Sequence, residues 1–352
     1  DKRRLVIVLV SSLRIAVDAM GGEFGPSVVV PALVACLKKN SNVKALVYGD
    51  ERAVKKELSV HRESSVLHRI KVIHCDLHVT DSDKPSSVLR SKRSSSMGSA
   101  VKAVSDQEAD ACISAGNTGA LMALGLFCLK TLPGISRPAI CTTFPTFSGR
   151  TYVLDLGANI ECSAEQLYQF AVLANFATQL LDNNSNPSIR ILNVGIEKTK
   201  GSSHLHHAAD LLENDTHLNY QGFIEGDGIF EGVADIVVCD GFSGNIALKT
   251  SEGFASMIKS LLEDLFSKSW LARIALGLIS RSFKDLKNKL DPALYNGAYL
   301  LGLNGVVVKS HGSASTKAFG HALDVAISAA ERNLPKALAP LLETKLIITN
   351  KE

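Results

Sequence analysis

Short apolar segments that run into glycine-rich polar loops, and then into helical segments, recur along most of this chain. The first half predicts strands at 14–17, 45–48, 70–73 and 111–114, and helices at 28–37 and 120–129. Strands that are apolar throughout and alternate with helices are typical of a parallel sheet covered on both faces. The pattern therefore predicts an α/β protein with a mainly parallel sheet.

The second half continues in the same style. It predicts strands at 152–154, 189–194, 236–239 and 305–309, and a long helix at 163–181. Because parallel strands end at the same edge of a sheet, we expect the glycine loops that follow them to gather at one edge, where ligands of such sheets bind. For any single loop, an ordinary turn is the preferred explanation. Several together predict a site for a phosphate-type anion, since glycine lets the backbone approach a ligand and helix starts favour anions.

The charge and the cysteines limit the classes of function. The chain has 38 basic and 35 acidic residues among 352, a net charge of +3, which argues against a dedicated nucleic-acid binder. Its seven cysteines form no C-x-x-C pair and no zinc-type spacing, which indicates reduced, buried thiols. Segment 204–207 carries three histidines without a carboxylate at a known spacing, so a solvated loop is preferred to a metal site.

Several nucleotide and hydrolase motifs are missing from the sequence. There is no G-x-G-x-x-G after the first strand, no Walker-type phosphate loop, no G-x-S-x-G elbow and no H-E-x-x-H. A dinucleotide site, P-loop chemistry and a serine hydrolase are therefore not supported. Residues 1–13 predict a short extension before the first strand, and no apolar run has the length of a transmembrane helix.

Residues 254–290 predict a helical hairpin with a basic, amphipathic second half. Trp270, Leu271, Ile274 and Leu278 fall on its apolar side. Such a helix can lie on an anionic membrane surface. An intersubunit hairpin with its basic face in water is the alternative, and the two interpretations are compatible.

The glycine loops resemble those of the bacterial acyl-ACP:phosphate acyltransferases, the PlsX family. The runs that carry the resemblance are DAMGG (18–22), ISAGNTGALM (113–122), DLGAN (155–159), NVG (193–195), TKG (199–201), DIVVCDGFSGN (235–245) and KSHGS (309–313). They occur in order across residues 14–335. This chain departs from the commoner pattern at Glu23 and at Ile196-Glu197-Lys198, which makes the second loop more basic.

The resemblance implies an α/β/α sandwich related to phosphate acetyltransferases and to isocitrate/isopropylmalate dehydrogenases. We expect two lobes around a cleft within 14–335, followed by a C-terminal helix or tail at 336–352. The implied reaction converts fatty acyl-[acyl carrier protein] and phosphate into acyl phosphate, which feeds a membrane glycerol-3-phosphate acyltransferase in phospholipid synthesis. The resemblance further implies a homodimer in the cytoplasm that associates peripherally with the membrane.

Phosphorolysis of a thioester requires a positioned phosphate dianion and a stabilised tetrahedral oxyanion. We hypothesise that Lys200 supplies positive charge and that Asn117 and Asn245 donate hydrogen bonds to phosphate or oxyanion. His311 would orient phosphate or protonate the departing sulfur. A surface lysine and a structural histidine are the alternatives for Lys200 and His311. The other predicted substrate contacts are Gly21, Gly22, Ser114, Gly116, Thr118, Gly119, Asp155, Asn159, Gly195, Asp240, Gly244 and Ser310. Asp18 and Asp240 are interpreted chiefly as carboxylates that hold loops, and no metal or cofactor is expected.

The acidic carrier protein needs a basic surface. Arg90, Lys92 and Arg93 lie in a stretch without acidic residues between 86 and 105, which predicts a docking patch, with a solvated basic face as the alternative. Two other functions stay open from the residues: a phosphate acetyl- or butyryltransferase that uses coenzyme A, and a non-catalytic scaffold for lipid-synthesis enzymes at the membrane.

Overall fold

One sheet of eleven strands organises the protein. The computed structural model describes residues 12–62, 64–268 and 292–348. The strands are β1 (Leu13–Asp18), β2 (Val43–Gly49), β3 (Ile70–His74), β4 (Ala111–Ser114), β5 (Ala139–Pro145), β6 (Arg150–Leu154), β7 (Ser188–Leu192), β8 (Asn219–Ile224), β9 (Ile236–Val238), β10 (Ala298–Leu301) and β11 (Val306–Lys309).

Helices fill the connections between these strands. They are α1 (Pro26–Lys39), α2 (Glu51–Val60), α3 (Pro85–Ser91), α4 (Ser96–Ser105), α5 (Thr118–Leu129), α6 (Ala164–Asp182), α7 (Ser203–Glu213), α8 (Gly241–Lys268), α9 (Thr316–Glu331) and α10 (Leu334–Leu342). Three short 3₁₀ turns (Leu67–Arg69, Gly228–Phe230 and Pro292–Tyr295) and a π-helical segment (Glu343–Ile348) complete the described chain.

The predicted strands and helices of the sequence are confirmed, with bounds shifted by one to two residues. Several helices begin at a residue whose side chain caps the first turn by accepting a hydrogen bond from a backbone N–H group. These residues include Ser95 for α4, Asn117 for α5, Ser163 for α6 and Ser315 for α9. Strands β5, β8 and β10 are additional, and no apolar alternation in the sequence had singled them out.

The additional strands change the polarity of the sheet. The strand order is β3-β2-β1-β4-β11-β10-β5-β6-β9-β7-β8. Strands β3, β2, β1, β4 and β11 are mutually parallel, and so are β6, β9, β7 and β8. Between the two sets, β10 and β5 make three successive antiparallel pairings, so the two sets run in opposite directions. The expectation that all glycine loops share one edge is therefore wrong.

Both faces of the sheet are covered, as the continuous apolar strands predict. One buried cluster contains side chains of α1, α6, α9 and α10, such as Leu33, Phe170 and Phe319. The other contains side chains of α3, α4 and α5, such as Met97 and Leu121. Helix α10 begins at Leu334, so the expected domain limit at 335 falls inside a helix whose leucines belong to the first cluster.

The expected helical hairpin is only partly described. Residues 254–268 are the second half of α8, which confirms a helix there. Trp270, Leu271, Ile274 and Leu278 lie outside the described residues, as do residues 1–11 of the expected extension.

Candidate active site

Three loops come together at the carboxyl ends of β1, β4 and β11, and we call them the first loop group (residues 19–25, 115–117 and 310–315). A buried carboxylate joins two of them, since Ser114 Oγ donates to Asp18 Oδ2 at 2.7 Å and Met20 N donates to Asp18 Oδ1 at 3.2 Å. Burial raises the pKa of Asp18, although these hydrogen bonds oppose the rise. Ser114 Oγ in turn accepts from Gly116 N at 3.0 Å. Asp18 and Ser114 therefore fix loop geometry.

Glycine is required where these loops touch. A Cβ on Gly21 would lie 2.7 Å from Gly116 N, and one on Gly22 would lie 2.7 Å from Gly312 O, with φ at +83°. Glu23 N donates to Gly312 O at 2.9 Å. The predicted contacts Gly21, Gly22, Ser114 and Gly116 are thus brought together, through the backbone, with the loop that carries Ser310 and His311.

The side-chain amide of Asn117 makes its hydrogen bonds to backbone groups of the protein. Its Oδ1 accepts from Ala120 N at 2.9 Å as the N-cap of α5. Its Nδ2 donates to Asp81 O at 2.9 Å and Asp83 O at 3.3 Å. Donation to a phosphate would require that these two contacts break. Thr118 and Gly119, predicted phosphate contacts, are the first two residues of α5, and Gly119 faces Pro85.

His311 contacts a lysine that the sequence analysis did not single out. His311 Nε2 lies 3.0 Å from Lys249 Nζ, and Nδ1 lies 2.9 Å from Ser313 Oγ. Because an ammonium can only donate, Nε2 accepts from Lys249, and Nδ1 accepts from the backbone N–H of Ser313 at 3.2 Å. Burial and the Lys249 charge lower the pKa of His311 below its ordinary 6.5. The imidazole is therefore neutral at pH 7, with Nε2 as an acceptor.

Lys309 places a second cation beside this pair. Its mostly buried ammonium donates to Ala115 O at 3.3 Å and to Ser310 O. Burial and the nearby Lys249 lower the pKa of Lys309 to about 8. Ser310 is fully buried, and its Oγ accepts from Asn296 Nδ2 at 2.8 Å. Lys309 makes no ion pair within the part of the chain that the structure describes, whereas Lys249 contacts Glu252 at 2.8 Å.

The first loop group thus holds two ammonium groups and a neutral imidazole. Glu252 pairs with Lys249, and the carboxylates of Asp81 and Asp18 also act on Lys309 through their charge. A buried cation without a carboxylate partner is costly, and an anion bound beside it would offset that cost. The group can therefore bind a phosphate-sized anion.

The second loop group lies at the opposite edge, at the carboxyl ends of β6, β7 and β9 (residues 155–163, 193–202 and 239–240). The buried carboxylate of Asp155 accepts from the backbone N–H groups of Ile140, Ala158 and Asn159 at 2.6–3.0 Å. Burial raises the pKa of Asp155 against these bonds. Asn159 Nδ2 donates to Asp155 Oδ2 and to Pro138 O, both at 2.9 Å. These two predicted site residues hold the loop in place.

The start of α8 packs against that loop. Gly241 N donates to Asn159 O at 2.8 Å, and a Cβ on Gly244 would lie 1.9 Å from Asp155 O. Asp240 accepts from Ser243 N at 2.8 Å and from Ser243 Oγ at 3.0 Å, as a loop-holding carboxylate does.

Helix α8 connects the two loop groups. The exposed Asn245 lies beside Gly157 of the second group. One turn later on the same helix face, Lys249 contacts His311 of the first group. Four residues of α-helix span about 6 Å, so an acyl donor held near Asn245 is within reach of an anion at Lys249.

Lys200 and Gly195 belong to a loop with mostly internal contacts. Lys200 N donates to Glu197 O at 3.0 Å, and Asn193 Nδ2 donates to Lys200 O at 2.9 Å. The exposed Lys200 ammonium has no partner among the described residues, whereas Lys198 is paired with Glu213. Among the described residues, no contact joins Lys200 to the His311 cluster.

The three predicted docking residues differ in their surroundings. Arg90 is exposed and has no hydrogen bond or ion pair within 12–62, 64–268 and 292–348. Lys92 is paired with Asp83 at 2.7 Å and donates to His78 O at 3.2 Å. The Arg93 guanidinium lies 4.6 Å from the ring centroid of Phe127. Two cations of the predicted patch are thus free of carboxylates, and the third is not.

Sequence reasoning missed Lys249, Glu252, Asn296 and Lys309. Of these four residues, only Lys309 could have been found from the sequence, because it precedes Ser310-His311 at the end of an apolar strand. The other three depend on how α8 and the 3₁₀ turn at Pro292–Tyr295 pack. In the described ranges no cluster of three or more His, Cys, Asp or Glu residues could hold a metal, and no helix there has both the length and apolarity needed to cross a membrane.

Comparisons with known proteins agree with this arrangement. The family model described as fatty acid synthesis protein matches residues 13–337. A phosphate acyltransferase of Nitrosococcus oceani is 46% identical over 332 residues, which are 94% of this chain and 97% of that protein. The chain belongs to this family, the PlsX family. The family expectation from the glycine loops is confirmed, and the protein is a transferase with phosphate acyltransferase activity.

Two further similarities agree. The phosphate acyltransferase of Pseudomonas syringae pv. syringae is 48% identical over 330 residues, covering 94% of this chain and 96% of that protein. A phosphotransacetylase from Streptococcus pyogenes superposes with a TM-score of 0.59 at 19% identity, over 92% of this chain and 95% of that one. This second likeness concerns the fold and confirms the phosphate acetyltransferase-like architecture.

Proposed function

We propose that this acyltransferase moves a fatty acyl group from acyl-[acyl carrier protein] to inorganic phosphate, giving acyl phosphate for phosphatidic acid and phospholipid synthesis. The observation that carries the phosphate site is the mostly buried Lys309 ammonium beside the Lys249–His311 pair. The family's description as a fatty acid synthesis protein supports a long acyl chain.

In the proposed mechanism the first loop group binds phosphate. The ammonium groups of Lys309 and Lys249 hold the anion. Once Lys249 turns from His311 to the anion, Nε2 of the neutral imidazole is free to accept the remaining proton of the phosphate. A phosphate oxygen then attacks the thioester carbonyl carbon and forms the new C–O bond. The C–S bond breaks, and the thiolate leaves readily because thiol pKa values are about 8.5. His311 returns the proton to sulfur, which leaves the imidazole neutral for the next turnover.

The second loop group would stabilise the oxyanion. Asn245 presents an exposed amide without a hydrogen bond in the described chain, one helical turn from Lys249. Lys200 offers an ammonium whose charge no neighbouring carboxylate offsets. We assign these two groups to the developing negative charge on the carbonyl oxygen, where one preorganised donor contributes a factor of about 100–1000 in rate.

Partner and location complete the proposal. Arg90 and Arg93 supply positive charge for the acidic carrier protein. Phe254, Met257 and Leu261 are exposed on one side of α8 and continue toward the basic segment 269–290, which supports peripheral binding to the inner face of the cell membrane. There the acyl phosphate would reach a membrane glycerol-3-phosphate acyltransferase. We also propose that the protein is a homodimer.

The test is a titration of radiolabelled phosphate against palmitoyl-carrier, with labelled acyl phosphate and free carrier as the products measured. Turnover that depends on both substrates supports the proposal. Turnover with acyl-CoA alone would instead support an acetyl- or butyryltransferase. Lack of any turnover, with retained binding to anionic vesicles, would support a scaffold.

A further inference from the structure

An exposed aromatic ring lies between two cations on the outer surface of α5. The Phe127 side chain is 44% exposed. The Arg93 guanidinium lies 4.6 Å from its ring centroid and the Lys130 ammonium lies 5.6 Å from it. Arg93 Nε also donates to Leu89 O at 2.5 Å, which fixes the guanidinium over the ring.

The charges around this ring are unbalanced. Arg90, Arg93 and Lys130 have no ion pair among the residues the structure describes. The neighbouring Lys92 and Lys102 do, with Asp83 and Asp106 respectively. The Asp83 carboxylate offsets the charge of Lys92. Arg93 and Lys130 lie against the Phe127 ring, and the exposed Arg90 lies three residues before Arg93 in the chain. We call Arg90, Arg93, Phe127 and Lys130 the Phe127 patch.

We propose that the Phe127 patch is the docking surface for an acidic helix of the acyl carrier protein, with Phe127 as its apolar centre. This inference rests on the proposed function and replaces Lys92 of the sequence-based patch with Phe127 and Lys130. An exposed aromatic ring with two cations against it favours a partner that offers an aliphatic side chain among carboxylates. The cations raise the association rate, and the ring supplies burial.

The position of the patch suits delivery of a thioester. Phe127 lies nine residues after Thr118 on the same helix, about 13 Å along its axis. The first turn of α5 adjoins the first loop group through Asn117 and Ala115. A carrier protein seated at Phe127 would therefore lie one helix length from the acyl acceptor, a gap that its flexible prosthetic arm can cross.

The experiment compares Phe127→Ala and Arg90→Glu with two matched controls. Phe147→Ala removes a ring that is 87% exposed in the β5–β6 turn, and Lys56→Glu reverses an exposed charge on α2. Binding of carrier protein that bears no acyl group is measured at low salt by fluorescence anisotropy. We expect both patch variants to raise Kd about tenfold or more and both controls to leave it unchanged.

Kinetics provide a second readout with palmitoyl-carrier as substrate. The patch variants should raise KM for the carrier and leave kcat and KM for phosphate unchanged, while Arg90→Glu should weaken the salt dependence of KM. Unchanged Kd and KM in both variants would overturn the docking inference and leave the proposed function intact. A different result would be that the patch variants weaken carrier binding while the wild-type protein transfers no acyl group to phosphate. That result would support docking and overturn the proposed function.

Discussion

Lys309 carries its charge at a mostly buried position, where desolvation disfavours the protonated ammonium. Its ammonium is mostly buried, bonds to two backbone carbonyls and lies near Lys249, and its pKa falls from 10.5 to about 8. Below pH 8 the folded and unfolded chains both carry the proton, so folding bears the full desolvation cost. Between pH 8 and 10.5 the unfolded chain binds more protons, and stability rises with pH in that window.

Replacing this lysine should separate stability from activity. Lys309→Met removes the desolvated charge, so the free energy of unfolding at pH 7 should not fall and can rise by up to about 3 kcal/mol. At the same time kcat/KM for phosphate should drop about 100-fold or more. Chemical denaturation and steady-state kinetics measure the two effects. A large loss of stability with normal kinetics would show that Lys309 serves only the loop structure.

The protonation of His311 depends on Lys249. Burial and the Lys249 charge lower the pKa of His311, so its protonation should limit kcat/KM only below pH 6.5. Lys249→Met removes one of these causes, and the acidic limb of the pH–rate profile should move to higher pH. The profiles of the two proteins are compared at saturating acyl-carrier. An acidic limb that stays in place would mean that His311 does not carry the catalytic proton.

At this scale the sequence predicted those residues whose role is local. Asp18 and Asp240 hold loops, as expected of them, and Gly21 and Gly22 allow the close approach that their positions suggest. Asp155 was expected to contact substrate, but its carboxylate accepts from three backbone N–H groups of the protein. Asn117 was expected to donate to substrate, but its side chain caps α5 and binds a neighbouring loop. Lys249 was missed because nothing local to α8 shows that it meets a histidine 62 residues away.

Helix α8 matters as an element because it contacts both loop groups. Its first turn fits against Asp155 only because residue 244 is glycine, where a Cβ would lie 1.9 Å from Asp155 O and 2.8 Å from Cys239 Sγ. Its third turn carries Lys249. A displacement of the first turn should therefore disturb the His311 cluster at the other edge of the sheet.

Two glycines on this helix provide a matched pair. Gly244→Ala should destabilise the protein by about 1–3 kcal/mol through the backbone clash and should lower kcat, because Asn245 and Lys249 move together. Gly253→Ala meets no atom within 4 Å and should stabilise it by about 0.5–1 kcal/mol without loss of activity. Denaturant unfolding and turnover of both variants test this. Normal turnover in Gly244→Ala would show that the helix position is not coupled to catalysis.

The C-terminal segment is held by a buried ion pair. Lys345 Nζ contacts Asp215 Oδ1 at 2.5 Å, with side-chain exposures of 14% and 6%, and Tyr168 OH donates to Asp215 Oδ2 at 2.9 Å. Burial raises the pKa of Asp215, but Lys345 and Tyr168 outweigh it and the net shift is downward. The stability from this group is therefore present above the ordinary carboxyl pKa and is lost as pH falls through the lowered value.

Removal of the Lys345 ammonium alone should destabilise the protein. Lys345→Met leaves Asp215 buried without its counter-ion and should lower the free energy of unfolding by about 3 kcal/mol at pH 7. The double variant Lys345→Met/Asp215→Asn should recover most of that loss, and turnover should be normal in both. A single variant as stable as the wild type would show that the pair contributes nothing net.

At the scale of the whole molecule, the two parallel sets of strands run in opposite directions and meet through β10 and β5. The sequence predicted a mainly parallel sheet from its apolar strands. It could not predict the reversal, because antiparallel pairing of two short strands depends on long-range contacts. Because of the reversal, the first loop group follows strands of one set and the second loop group follows strands of the other, while α8 contacts both loop groups.

If Lys309 binds phosphate and Lys200 acts on the oxyanion, phosphate should raise the thermal stability through Lys309 and not through Lys200. Phosphate binds only the folded chain, so at 100 times its Kd it should add about 2.7 kcal/mol to the free energy of unfolding and raise Tm by about 4 °C. Sulfate should act similarly, and chloride at equal ionic strength should not. Lys309→Met should abolish the shift because its cation belongs to the phosphate site. Lys200→Met should keep the shift yet lower kcat, because we assign Lys200 to the oxyanion and not to the bound phosphate. Loss of the Tm shift in Lys200→Met would show that both lysines bind the same anion and would contradict their assignment to separate roles.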